Sequence, residues 1–143
     1  MWWESLLSNK PLIAALAAQA SSQGFKIARM WWKTQSFRLK NIAAYGDFPS
    51  AHTAFITGVT LTTGLTAGFD SAAFAVGVVF SAIVISDALV LRNAVGNIQK
   101  TVESVVGKQL FDVPFRGHTP LEIISGALVG VLWSYVILWF WPF

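Results

Sequence analysis

From Ser71 to Leu91 the chain carries a single charge, Asp87, and from Pro120 to Trp141 again only one, Glu122. Coiled at 1.5 Å per residue, an apolar run of about twenty residues spans the roughly 30 Å hydrocarbon core of a bilayer. Lipid offers no partner for backbone N–H and C=O groups, so such runs must satisfy them internally, as helices. Two further runs join them. The first, roughly Pro11 to Trp32, is rich in alanine and carries Lys26 and Arg29 in its second half. The other, roughly Pro49 to Ala67, is rich in Thr, Gly and Ala, which let helices approach closely and hydrogen-bond in lipid. With 55% hydrophobic and 12% charged residues, the whole is far more apolar than an ordinary soluble domain. These features predict an all-α integral membrane bundle of about four transmembrane helices, a single domain over residues 1–143. Gly68-Phe69-Asp70 is the turn between the second and third spans. The first run is read as a retained helix, not a cleaved leader, because Met1-Trp2-Trp3-Glu4 lacks a basic start.

Basic residues set the expected topology. Lys33, Arg38 and Lys40 follow the first span, and Lys100, Lys108 and Arg116 follow the third, whereas the turn after the second span and the C-terminal tail have none. By the positive-inside rule both long connections face the cytoplasm. Trp2, Trp3, Trp31, Trp32, Trp133, Tyr135, Trp139 and Trp141 suit the membrane-water interface. Between Asn93 and Gly117, Val95, Ile98, Val102, Val105, Val106 and Leu110 recur at near-helical spacing, which predicts either an amphipathic helix lying on the cytoplasmic surface or a plain connector. Small-residue faces on the second span predict a homo-oligomer.

Both histidines fall just ahead of apolar runs, in Pro49-Ser50-Ala51-His52 and Arg116-Gly117-His118-Thr119-Pro120-Leu121-Glu122, and the topology brings them to one membrane face. Lys26, Arg29, Asp87 and Arg92 reach the same side. Helix N-termini carry unpaired N–H groups and partial positive charge, so with Lys26, Arg92 and Arg116 nearby the natural occupant is a phosphate. Two imidazoles beside it can divide phosphoryl transfer, one attacking phosphorus and one protonating the leaving oxygen. Glu122, four residues past His118, either orients that imidazole or closes a capping box with Thr119. Ser50 likewise is a phosphate contact or a helix cap. Lys26 and Asp87 are site residues or a structural ion pair. The chain has no cysteine and only two histidines, which leaves no thiolate metal site and little for a histidine cage. A net charge of +3 gives no reason to invoke nucleic acid.

At these residues the chain resembles the type 2 phosphatidic acid phosphatase superfamily, related to vanadium haloperoxidases, and more closely its small divergent bacterial and plastid branch. The resemblance lies in Lys26, in Gly46 to His52 read as Gly-x-x-Pro-Ser-x-His, in Asp87-x4-Arg92, and in Gly117-His118-x-Pro120-x-Glu122. It implies a metal-independent lipid phosphate phosphatase without cofactor, working through a phosphohistidine. His118 is then the nucleophile, His52 the leaving-group acid and Glu122 the orienting carboxylate. Lys26, Ser50, Arg92 and Arg116 bind phosphate, with Asp87 in support. Asp112 stands where the broad family has an arginine, so Arg92 or Arg116 would supply that charge. Candidate substrates are phosphatidylglycerophosphate, phosphatidate and polyprenyl phosphates. The competing expectations are a noncatalytic lipid-phosphate-binding or assembly subunit of a membrane complex, and a small ion transporter using Lys26 and Asp87.

Overall fold

The computed structural model describes residues 2–35, 48–110 and 117–141. A short helix, α1 (Trp2–Leu7), precedes α2 (Lys10–Thr34), whose start is fixed by Asn9 accepting from the Leu12 N–H at 3.1 Å. Helix α3 (Ala51–Ala67) is capped by Ser50, and α4 (Ala72–Ser86) by Ser71, so the turn expected at Gly68-Phe69-Asp70 lies where the sequence placed it. Helix α4 passes into a π-helical turn, Asp87–Leu91, and then without a break into α5 (Arg92–Val106). The C-terminal helix is α6 (Pro120–Phe140), entered through Thr119 with Pro120 in its first turn. No strand occurs among the described residues.

Helix α3 is the hub of the bundle, packing against α2, α4 and α6, while α2 and α6 also meet. Its interfaces are made of small and hydroxyl residues. Ala14, Ala15, Ala18, Ala51 and Ala54 are fully or almost fully buried together with Thr53, Thr62, Ser22 and Ser134. A Cβ on Gly58 would lie 3.2 Å from the Ala14 carbonyl, and one on Gly130 would lie 2.7 Å from the Ala54 carbonyl. Ser134 donates to the Gly130 and Gly58 carbonyls at 2.9 and 3.3 Å, Trp133 Nε1 donates to Ser21 at 2.9 Å, and Thr60 and Ser81 hydroxyls pair at 3.1 Å. This is close backbone approach with hydroxyl bridges, as helices associate in lipid. Gly130→Val is therefore expected to force α3 and α6 apart. The neighbours it would strike are backbone, so about 1–3 kcal/mol of stability should be lost, read as a lower thermal midpoint in detergent.

Two helices among the described residues are long and apolar enough to cross a membrane, Ala72–Val106 and Pro120–Phe140. The most apolar windows of these helices are only 6% and 22% buried, so neither is the sheltered core helix of a soluble protein. Their outward faces, with Val76, Val79, Phe80, Ile83, Leu128, Leu132 and Trp139 exposed, are suited to lipid. Helices α2 and α3 complete the bundle, α3 at 17 residues and α2 with Lys26, Arg29 and Lys33 in its second half.

One expectation changes. The apolar residues from Val95 to Val106 do lie on a helix, but it continues the third span and is not a separate surface element. At 35 residues this composite helix is about 52 Å long, well beyond the hydrocarbon core. It ends at Gly107, whose φ of 67° is the left-handed conformation a glycine cap adopts readily. The small residues of α3 pack within the chain against α2, α4 and α6.

Candidate active site

The N-termini of α3 and α6 are stitched together by backbone. The Ser50 N–H donates to the Glu122 carbonyl at 2.9 Å, and Gly126 sits so close to the Ser50 carbonyl that a Cβ there would collide with it. A second stitch reaches α4: the His118 N–H donates to the Ala88 carbonyl at 3.0 Å. Ala88 belongs to the π-turn, in which the Arg92 N–H reaches back five residues to the Asp87 carbonyl. Gly117 lies against Asn93, whose amide occupies the place a Cβ would take, while Asn93 itself donates to the Leu89 carbonyl at 2.7 Å. His118 is thus fixed by its own backbone and by the glycine before it, whatever its side chain does.

The imidazole of His118 is 5% exposed, and neither Nδ1 nor Nε2 has a hydrogen-bond partner among the described residues. Leaving a buried polar atom unpaired costs about 1–3 kcal/mol, so such groups call for a reason. Burial is the main cause of a pKa below the ordinary imidazole value of 6.5, and the charges of Lys26, Arg92 and His52 depress it further, while Glu122 opposes them. All four side chains therefore act on this imidazole, and at neutral pH it is unprotonated, with a free lone pair. Imidazole takes a proton more readily in the unfolded chain, so stability from this residue is present above 6.5 and is lost as pH falls through the lowered value. In an NMR titration the midpoint of His118 should lie below 6.5, and Glu122→Gln should move it lower still. A midpoint above 6.5, or an upward move, would contradict this electrostatic picture.

The other expected residues divide. His52 is exposed in the first turn of α3, with Lys26 and Arg92 within electrostatic reach. It borders a cleft of about 280 Å³ with Gln19, Phe55, Ile56, Phe80 and Val84. Lys26 is half-buried on α2. Arg92 Nε pairs with Asp87 Oδ2 at 3.0 Å, so Asp87 has a cation partner on its own helix. Both side chains of that pair are more than a third exposed, which makes it worth at most about 1 kcal/mol. Its use is to hold the guanidinium beside the π-turn.

Glu122 and Ser50 take the capping alternatives. The Thr119 N–H donates to Glu122 Oε2 at 3.0 Å and the Glu122 N–H to Thr119 Oγ1 at 3.3 Å, a complete capping box. Glu122 makes no hydrogen bond to the His118 ring and acts on it through space. Ser50 is fully buried, accepting from the Thr53 N–H at 3.4 Å and from the Thr53 hydroxyl at 2.9 Å. Its hydroxyl oxygen thus serves the start of α3. Arg116, with Gly46 and Asp112, lies outside the described residues.

The π-turn and Ala88 were missed from sequence, although a signal existed. Asp87 and Arg92 are five residues apart, a spacing that suits a π-turn and not the three or four of an α-helical pair.

A family described as "Divergent PAP2 family" matches residues 7–133. The chain is also 28% identical, over 156 aligned residues covering 94% of it and 98% of the relative, to "Uncharacterized membrane protein YuiD" of Bacillus subtilis (strain 168). No solved structure gives a significant match.

Proposed function

This chain belongs to the divergent PAP2 family, and on that premise we propose that it is a membrane lipid phosphate phosphatase using His118 as its nucleophile. The observation that carries the reading is the buried imidazole with both nitrogens unpartnered among the described residues, kept neutral at pH 7 and within electrostatic reach of Lys26, Arg92 and His52. A lone pair without a partner is what an incoming phosphorus needs, and cations at that place offset the phosphoryl oxygens. The uncharged imidazole forms the N–P bond while the P–O bond to the lipid alcohol breaks. His52, having taken the proton of the incoming phosphomonoester monoanion, gives it to the departing oxygen. Neutral again, His52 takes a proton from water, whose oxygen attacks phosphorus, and the N–P bond breaks to release inorganic phosphate and restore His118.

Phosphatidylglycerophosphate, phosphatidate and polyprenyl phosphates are the substrates to compare. Lys33, Arg38, Lys40, Lys100, Lys108 and Arg116 support a site on the cytoplasmic or equivalent face. The outward apolar faces of α4 and α6 support direct contact with membrane lipid. One observation favours a second reading, a noncatalytic lipid-phosphate-binding or assembly subunit. Glu122 is taken up by its cap and Ser50 is buried, leaving fewer groups for chemistry. Phosphate release from a lipid panel separates the two: the phosphatase turns over at least one member, and the binding subunit retains lipid phosphate unchanged.

A further inference from the structure

His52 belongs to two surroundings at once. Lys26, Arg92 and Asp87 act on it electrostatically, and it also borders the cleft between α2, α3 and α4. Apart from His52 and Gln19, that lining is hydrocarbon and aromatic: Phe55, Ile56, Phe80 and Val84. Phe80 is 57% exposed on the outer face of α4, the helix that buries least of its apolar surface, so the cleft is flanked by a surface suited to lipid. At about 280 Å³ it falls just short of the roughly 300 Å³ at which pockets begin to enclose a whole ligand.

We infer that this cleft seats the proximal alkyl segment of the leaving alcohol. The inference rests on the phosphatase reading above, in which His52 protonates the leaving oxygen. The carbon bonded to that oxygen must then lie beside His52, with the chain that follows it close by, and the cleft is an apolar space bordering that residue. Only a segment fits, and the rest of the chain stays in the bilayer. Lipid tails are already as apolar as the cleft, so seating a chain there adds little affinity. Its effect is orientation, holding the P–O bond in line between His118 and His52, and it appears in kcat more than in KM.

The test is photocrosslinking of the full chain in lipid nanodiscs, using a phosphatidate that carries a diazirine on the acyl carbons nearest the glycerol. Adducts are expected on Phe55, Phe80 and Val84, displaced by excess unlabelled phosphatidate. Val84→Trp, which fills the cleft, should cut those adducts and the ratio of long-chain to short-chain kcat by about tenfold. Val79→Trp, on the outward face of the same helix and outside the cleft lining, should keep both. Adducts spread without competition over Val76, Val79 and Ile83 would overturn the proposal, as would a long-to-short ratio unmoved by Val84→Trp. Turnover without cleft adducts refutes the cleft and spares the phosphatase. Competed cleft adducts without turnover on any lipid phosphate uphold chain seating and refute the phosphatase.

Discussion

His118→Ala is expected to lower kcat for lipid phosphate hydrolysis by roughly 10⁴- to 10⁶-fold, the range seen when a covalent nucleophile is removed. The substitution takes away the atom proposed to bond phosphorus and leaves the backbone contacts in place. The backbone of His118 is held by the Ala88 carbonyl, Gly117 is seated against Asn93, and the Thr119–Glu122 box starts α6 independently. The variant should therefore fold. It also deletes two buried ring nitrogens that have no partner among the described residues, so thermal stability should hold or rise while turnover collapses. A fall in both together would mean that the imidazole is a structural member of the core.

His52→Ala should cost about 10²- to 10⁴-fold in kcat, as loss of a general acid does. The leaving group makes the prediction specific. A lipid alkoxide is a poor leaving group and needs the proton, whereas p-nitrophenolate departs without one. His52→Ala should accordingly lose most of its rate on lipid phosphate and far less on p-nitrophenyl phosphate. An equal loss on both would place His52 in phosphate binding and not in proton transfer. Because this side chain is exposed in the first turn of α3, its removal should leave the fold intact.

Much of this arrangement was legible from short-range sequence. Caps link residues three apart, so Ser50 with Thr53, Ser71 with Phe74 and Thr119 with Glu122 could be read before any tertiary structure was known. The capping role leaves other groups on the same side chains: Glu122 caps through Oε2, and Ser50 accepts at Oγ. What the sequence could not express is contact between remote segments. His118 meets Ala88 across thirty residues, and that bond forms only where the π-turn stands. Nor could the pattern of Val95 to Val106 say whether its helix would stand apart or extend the third span, because both place apolar residues on one face. The small residues of α3 permitted close approach without naming the partner, and the partner proved to be the same chain.

The central claim is that phosphorus becomes bonded to His118. Protein incubated with lipid phosphate labelled at phosphorus and quenched in alkali should carry label that is stable to base, lost in acid and confined to the peptide containing His118. His118→Ala should carry none. Turnover by the parent with no such label at any quench time, or label and turnover that persist in His118→Ala, would contradict the account.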